Sequence, residues 1–331
     1  MNRATVLITS FQKRGYIFDA LDSVIEQTFK DFDVLLVVSK LFSLDEFNRY
    51  RQFIKVVVDE NAQSKCALLL TGIKLAQTDV IIFLDDDDLF SKDKIKIIMQ
   101  SFEQNPLVEF IHNDHINIFG TNIEKYNKIK ETRTNLPIHT RSIKEALRND
   151  CDSNLSSIAI KKKLVLSYLQ ILKLIDSGDD TFFLYCALDA QKHVINLPEK
   201  LTYYRIHASG KTHSSGSFKE YVQKVHEKLE SDVKTHQTYS QMFSDSQLVN
   251  IQKLRAAYYL TLQITYEHFF APWIDRRFLK NMYAHFKWIS FSGNHPPRPI
   301  KYILFFLMLI SSEFFISTNY ILSQYRLKGK Y

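Results

Sequence analysis

Apolar runs and helically spaced apolar positions alternate along the first two hundred residues. Ala4 to Ile8 is a short β-branched run closed by Thr9 and Ser10, the pattern of a buried strand. Tyr16 to Phe29 then sets Ile17, Leu21, Val24 and Ile25 at helical spacing. Phe32 to Val38, Ile54 to Val58 and Val80 to Leu84 read as further strands, with a helix over Ser64 to Ala76 between the last two. Ser91 to Phe102 reads as a helix with Ser91 as N-cap and Asp93 in its first turn. Phe110 to Phe119 alternates like a strand with one polar face, and a Lys-rich loop covers about Thr121 to Arg141. Asn154 to Ile160 is another strand, with Lys161 to Lys163 opening the next helix. An acidic turn then leads into an apolar helix from Thr181. His193 to Leu197 and Leu201 to Arg205 are closing strands, and Ser209 to Ser217 is a loop. Strands alternating with helices imply an α/β fold with a mostly parallel sheet.

The pattern changes after that. From Phe218 to about Phe291 it is helical and rich in Tyr, His and Phe. HPPRP at His295 to Pro299 is a breaker, and Tyr302 to Leu322 then carries one formal charge, Glu313. Arg298 and Lys301 flank that stretch on one side, Arg326, Lys328 and Lys330 on the other. A membrane span needs about 20 apolar residues, and the half reading SSEFFISTNYIL is polar for one. An interfacial helix pair, a spanning helix and a C-terminal helix packed on the α/β domain stay open. Basic flanks and aromatic residues favour contact with an anionic membrane surface. The expected segments are an α/β domain at 1–217, a helical region at 218–295 and a membrane-associating segment at 296–331.

Composition narrows the function. Hydrophobic residues make up 45% and charged residues 24% of the 331, an ordinary globular balance. Only 8 glycines are present and no dinucleotide or P-loop pattern appears, which argues against a Gly-rich phosphate loop. The net charge of +7 suits an anionic partner: nucleic acid, lipid headgroups or a phosphorylated substrate. Nucleic acid fits least, because the basic residues are dispersed and no recognition motif accompanies them. Cys66, Cys151 and Cys186 form no CxxC pair, and free thiols in a reducing compartment are expected. MNRATVLITS lacks a signal-peptide pattern. Together these readings predict a cytoplasmic location, at the cytoplasmic face of a membrane.

The chemistry concentrates in VIIFLDDDDLF, Val80 to Phe90. In parallel sheets ligands bind beyond the carboxyl ends of the strands, where these aspartates stand. Carboxylates this close repel one another, and a shared cation lets them stay ionised. Hard oxygen ligands select Mg²⁺ or Mn²⁺. In an extended segment Asp85 and Asp87 point one way, Asp86 and Asp88 the other. Two enzyme classes set an Asp-x-Asp at a strand end. In haloacid-dehalogenase-like phosphatases Thr or Val follows soon after, near the N-terminus; here Leu89 and Phe90 follow and three strands come first. The other class is the nucleotide-sugar-dependent glycosyltransferases.

From about Ala4 to Ser214 the sequence resembles family 2 glycosyltransferases of the GT-A fold. TVLITSFQKRGYIFDALDSVIEQTFKDFDVLLVVS looks like that family's first strand, helix and second strand. GIKLAQTDVIIFLDDDD is similar to the approach to its metal motif, and FIHND to the strand after it. GDDTFFLYCAL resembles the acidic motif opening the catalytic helix, and YYRIHASGKTHS the closing Tyr-Arg-x-His segment. Each is weak alone; five in order are strong.

The resemblance implies a Rossmann-like GT-A domain, with a mostly parallel mixed sheet flanked by helices; the C-terminal helical membrane-associated extension is expected from the C-terminal segment and the net charge alone. It implies inverting transfer of a sugar from a nucleoside-diphosphate donor to a hydroxyl of a glycan, lipid-linked or cell-surface acceptor. Asp87 is then the direct metal ligand, with Asp85 nearer the ribose or the metal's waters and Asp86 counted among the donor-binding residues. His207 closes over the diphosphate or touches the metal; an ordinary loop histidine stays open there. Arg205 and Lys211 add positive charge to the leaving group, or are surface residues. Asp180 is the base on the acceptor hydroxyl, with Asp179 beside it, unless both only cap the helix. Asp114 borders donor sugar or acceptor, or has a structural role on the polar face. Two departures affect the nucleotide: Val38-Ser39-Lys40-Leu41 replaces the usual Asp-rich segment, and Leu68-Leu69-Leu70 the usual Ala-Arg-Asn. Thr9, Ser10 and Phe11 remain as nucleoside contacts, with Asp59 as a substitute acid. The alternatives are a non-catalytic nucleotide-sugar-binding module and an Asp-dependent phosphoryl-transfer enzyme.

Overall fold

The structure is a computed structural model and describes residues 3–119, 136–207, 217–268, 276–291 and 298–327. It divides into two compact units. The first holds nearly all of the described chain up to Arg205; the second runs from Ile206 onward and includes the short pieces at 119 and 147–150.

In the first unit the elements are β1 (Ala4–Ser10), α1 (Ile17–Ile25), β2 (Phe32–Ser39), β3 (Lys55–Asp59), α2 (Lys65–Leu75), β4 (Val80–Asp85), β5 (Leu89–Phe90), α3 (Lys94–Gln104), β6 (Val108–Phe119), β7 (Ile138–Thr140), α4 (Ile143–Arg148), β8 (Ile158–Lys161), α5 (Leu169–Leu174), α6 (Asp179–Asp189) and β9 (His193–Ile206). The sheet order is β3-β2-β1-β4-β8-β6-β9-β5, with β7 also on β9. β3, β2, β1 and β4 are parallel, whereas β8 pairs antiparallel with both β4 and β6. All residues of β1 are buried, as expected of a central strand covered on both faces. Gly72 of α2 lies so close to Leu7 of β1 that a Cβ there would overlap the leucine methyls. Phe83 of β4 and Phe183 of α6, both buried, have ring centroids 4.3 Å apart, which seats α6 on the strand that carries the aspartates.

Several expectations from the sequence are corrected. Ser91 does not cap α3; Asp93 is the cap residue and its side chain accepts no cap bond. Buried Gln27 does that work: its Oε1 accepts from the Ile95 amide and its Nε2 donates to the Ser91 carbonyl. The strand expected from Asn154 begins only at Ile158, because Asn154 sits at φ 56° and caps a 3₁₀ turn over Leu155–Ser157. The two closing strands are one strand, β9, with Leu197 and Leu201 both in the core. α6 starts at Asp179 rather than Thr181. β7 lies in the stretch expected as a Lys-rich loop, most of which falls outside the described residues.

The second unit contains α7 (Phe218–Met242), α8 (Ser246–His268), α9 (Arg276–Phe291), α10 (Arg298–Ile310) and α11 (Ser312–Leu327). Ser217 and Glu220 close a reciprocal cap at the start of α7. Tyr221, Leu229, Tyr266, Ile289, Phe305, Met308, Phe315 and Ile316 pack into one apolar cluster. Tyr302 to Leu322 is not one helix but two, broken at Ser311. The 13 residues of α10 reach about 20 Å, short of the roughly 30 Å of a bilayer core. Among the described residues no helix is long and apolar enough to cross a membrane, so the spanning reading of Tyr302 to Leu322 falls.

Candidate active site

The parallel register brings four strand ends together. Thr9 of β1 stands opposite Asp85 of β4, Ser10 opposite Val38 of β2, and Ser39 of β2 opposite Asp59 of β3. Beyond β4 the chain turns, with the Asp88 amide donating to the Asp85 carbonyl at 3.3 Å. Asp86 and Asp88 are buried and Asp85 and Asp87 half-buried, but the extended alternation expected here gives way to the turn, which brings an Asp88 oxygen together with those of Asp85 and Asp87. One carboxylate oxygen each of Asp85, Asp87 and Asp88 lie within 4.8 Å of one another.

Each carboxylate has partners of its own. Asp88 accepts from Ser156 Oγ at 2.6 Å and from the Arg205 amide at 2.8 Å, which ties the turn to the β8 and β9 segments. Asp86 accepts from Ser10 Oγ. Arg14 Nη1 lies 2.7 Å from Asp87 and 3.7 Å from Asp86. Lys65 Nζ lies 2.6 Å from Asp85 and 2.8 Å from Asp179. Burial, and then the charge of Asp87, pushes the Asp86 carboxyl up to about 7. Burial also raises Asp85, against the opposing pull of Lys65, and lifts Asp88 well above its usual range. Burial alone would lower the Lys65 ammonium, but Asp179 and Asp85 hold it well above its ordinary value.

Asp179 and Asp180 form the first turn of α6 behind Gly178, which adopts φ 76°. The cap is therefore the glycine, and the two aspartates stand inside the helix end, where its dipole favours anions. Asp180 accepts from the Thr181 amide at 2.8 Å, yet burial and the neighbouring Asp179 push its carboxyl up to about 7.

Arg205 is buried. Its Nε donates to the Asp87 carbonyl at 2.8 Å, its Nη2 to Asp19 at 2.9 Å, and its guanidinium lies 4.5 Å from the centre of the Tyr16 ring. It braces the acidic turn from beneath. Thr9 is buried, and its hydroxyl has no hydrogen-bond partner among the described residues. Ser39, in the place of the missing acidic segment, donates to the Phe11 carbonyl at 2.8 Å. Asp59 accepts from Thr71 Oγ1 at 2.6 Å and from the Asn61 amide at 3.1 Å, so it organises the β3–α2 connection. Asp114 is on β6 with its carboxylate on the His115 amide, while its neighbour Asn113 is buried against Thr202. His207 is buried directly after β9. Lys211 lies outside the described residues.

Sequence reasoning missed Lys65, Arg14 and Ser156. Lys65 had one signal, its place just after Ser64, which caps α2. Arg14 and Ser156 stand in segments with no chemical motif.

A mixed sheet whose parallel half ends in an aspartate turn, with a second acidic pair on a helix start, is the GT-A arrangement that the sequence resemblance implied. The comparisons agree. Residues 5–161 match the family described as glycosyl transferase family 2. An uncharacterized glycosyltransferase of Haemophilus influenzae is 26% identical over 210 residues, covering 61% of this chain and 68% of the relative. One from Rickettsia felis is 33% identical over 132 residues, but this stretch is 21% of that protein. An amylovoran biosynthesis glycosyltransferase, AmsB of Erwinia amylovora, is 32% identical over 99 residues, 28% of this chain and 33% of the relative. S. aureus TarS has the same fold, with TM-score 0.55 at 13% identity over 99% of this chain and 92% of that one. So does the mannosyltransferase PcManGT of Pyrobaculum calidifontis, solved with GDP-Man and Mn²⁺, with TM-score 0.55 at 13% identity over 98% and 84%. Over residues 5–161, just under half of its length, the chain is similar to family 2 glycosyltransferases.

Proposed function

We propose that this enzyme transfers a sugar, with inversion, from a nucleoside-diphosphate sugar to a hydroxyl on a glycan, lipid-linked or cell-surface acceptor, and that it depends on a divalent metal. The observation that carries this is the carboxylate cluster of Asp85, Asp87 and Asp88 beside the acidic start of α6. The metal fits the donor set: carboxylate oxygens within 4.8 Å are hard ligands whose mutual repulsion a cation relieves. Asp87 and Asp85 would hold it, with His207 as a further ligand or a cover for the diphosphate. When bound, Mg²⁺ or Mn²⁺ neutralises charge on the departing diphosphate.

The chain's own residues do the rest. Asp180 takes the proton of the acceptor hydroxyl, and a carboxyl tuned to about 7 suits a base near neutral pH. Lys65 keeps Asp179 paired, so that the charge beside Asp180 is partly cancelled. Thr9, Ser10, Phe11 and Asp59 stand where the nucleoside would lie, Asp86 fixes Ser10, and Asp114 borders the sugar. Lys211 supplies positive charge toward the diphosphate, and Arg205 adds its charge from beneath the turn that it braces. Solved neighbours support this donor class: TarS with UDP and with UDP-GlcNAc, PcManGT with GDP-Man. Residues 1–217 carry the chemistry, 218–295 are a helical region, and 296–331 contact the cytoplasmic face of a membrane. No observation favours the phosphoryl-transfer or non-catalytic readings.

Melting of the purified chain against a panel of nucleoside-diphosphate sugars, with Mn²⁺ or Mg²⁺, tests this. At about a hundred times its dissociation constant a donor adds about 2.7 kcal/mol of stability. A metal-dependent shift with one nucleotide, lost in Asp87→Ala, is the expected result. A shift independent of metal overturns the metal part; no shift with any donor overturns the whole.

A further inference from the structure

The basic residues are spread along the chain, but the excess of basic over acidic residues is not. Residues 276–331 hold nine basic residues against a single acid, Glu313, whereas the other 275 residues hold 34 basic and 35 acidic. The net charge of +7 therefore belongs entirely to the last three helices and the chain around them.

The same helices turn apolar side chains to water. In α10, Phe305 and Met308 face inward, packed with Phe315 and Ile316 of α11 and Ile289 of α9. The other side of α10 shows Ile303 and Phe306, 58% and 55% exposed, with Leu309 continuing the row at 39%. A surface helix normally presents its polar side outward; α10 is apolar on both sides. In α11, Phe314, Ile321 and Tyr325 are more than half exposed, at i, i+7 and i+11, a single stripe. In α9, Tyr283 and Phe286 are exposed. The Phe286 ring lies 5.3 Å from Tyr302 and 5.8 Å from Phe305, which lies 5.8 Å from Phe306, so the exposed rings of α9 and α10 form one patch. Lys287 lies at its rim, with Nζ 6.0 Å from the centre of the Tyr283 ring.

We propose that this face of α9–α11 docks on an anionic lipid bilayer, its aromatic and aliphatic side chains entering the headgroup region in the membrane plane. Exposed apolar side chains that adjoin in one patch mark an interaction surface, and apolar stripes in a segment with a strong basic excess are the pattern of interfacial helices. A second copy of the chain fits less well, because a two-fold interface would bring like charge against like. Nucleic acid offers nothing to cover Ile303 and Leu309. The inference sharpens the membrane reading above, but it does not depend on sugar transfer, since binding is read without donor.

Sedimentation of the full chain with vesicles tests it. Binding to phosphatidylcholine mixed with phosphatidylglycerol is expected, with little binding to phosphatidylcholine alone, and salt should weaken it. Lys301→Gln should lower partitioning about fivefold, the worth of one basic residue at an anionic surface. Ile303→Ser with Phe306→Ser should lower it by about tenfold or more through lost apolar burial. Unchanged melting temperatures in both variants keep misfolding apart from lost docking. Equal binding to both vesicle types, or full binding by the serine variant, overturns the proposal. So does a vesicle-free dimer that the serine substitutions dissolve, which would make a second copy the occupant. A chain that binds vesicles but no donor would sink the sugar-transfer reading and leave this one standing.

Discussion

Lys65 and Asp179 meet at the end of the sheet, with Nζ 2.8 Å from the carboxylate, and the same ammonium lies 2.6 Å from Asp85. One lysine thus links the aspartate turn after β4 to the start of α6. Removing it leaves two poorly hydrated carboxylates without their shared cation, a change that costs about 3 kcal/mol in buried pairs. Lys65→Met should lower the melting temperature accordingly. Adding Asp179→Asn should recover part of the loss, because the uncompensated charge goes with it. A double-mutant cycle on thermal stability measures this; strictly additive effects would show that the pair is energetically idle.

Asp180 predicts a pH profile. Its carboxyl is pushed up to about 7, so the ionised base grows in as pH rises through that value. Transfer rate should climb about tenfold per pH unit below it and level off above. Stability runs the opposite way. A raised acid binds its proton more tightly when folded, so the native state loses stability as pH rises from about 4 to about 7. Asp180→Asn should therefore abolish turnover yet melt higher than wild type at pH 8. A variant that is inactive and also less stable at pH 8 would contradict the assignment.

His285 gives the second unit an acid weakness. It is buried between Tyr258, at 4.5 Å, and Phe305, at 5.0 Å, and burial pushes its pKa down to about 3. A depressed histidine stays neutral when folded and takes a proton when unfolded, so stability is full above about 6.5 and is lost as pH falls toward 3. His285→Phe keeps the aromatic packing and removes the proton. Its melting temperature should fall less than wild type between pH 7 and pH 5.

Gly72 predicts a packing penalty. A Cβ there meets Leu7 of the central strand. Gly72→Val should cost about 1–3 kcal/mol, the range for overpacking a filled core. Denaturant unfolding reads this, and Leu7→Ala in the same chain should relieve part of it.

Much of the first unit was legible because its strands are continuous apolar runs. The turn after Asp85 was not legible: it brings Asp88 beside Asp85 and Asp87, where an extended segment would have pointed it away. The partners of those aspartates were not legible. Lys65, Arg14 and Ser156 come from three separate segments, and only the closed sheet brings them within reach. The start of α3 was misplaced for a similar reason, since Gln27, from after α1, satisfies the amide that a local cap would have taken. In the C-terminal stretch, hydropathy alone did not show the break at Ser311, whose hydroxyl accepts from the Phe314 amide at 3.3 Å and starts a new helix.

The two donors to Asp88 come from residues 156 and 205. During synthesis the aspartate turn is therefore made long before the strand that locks it. A nascent chain that has emerged only as far as residue 161, where the family match ends, lacks the β9 amide and the buried guanidinium of Arg205 that hold the turn in shape. The aspartate end of the sheet is finished late, by a contact between distant parts of the chain, and a chain released early carries a half-built sheet with an unbraced acidic loop.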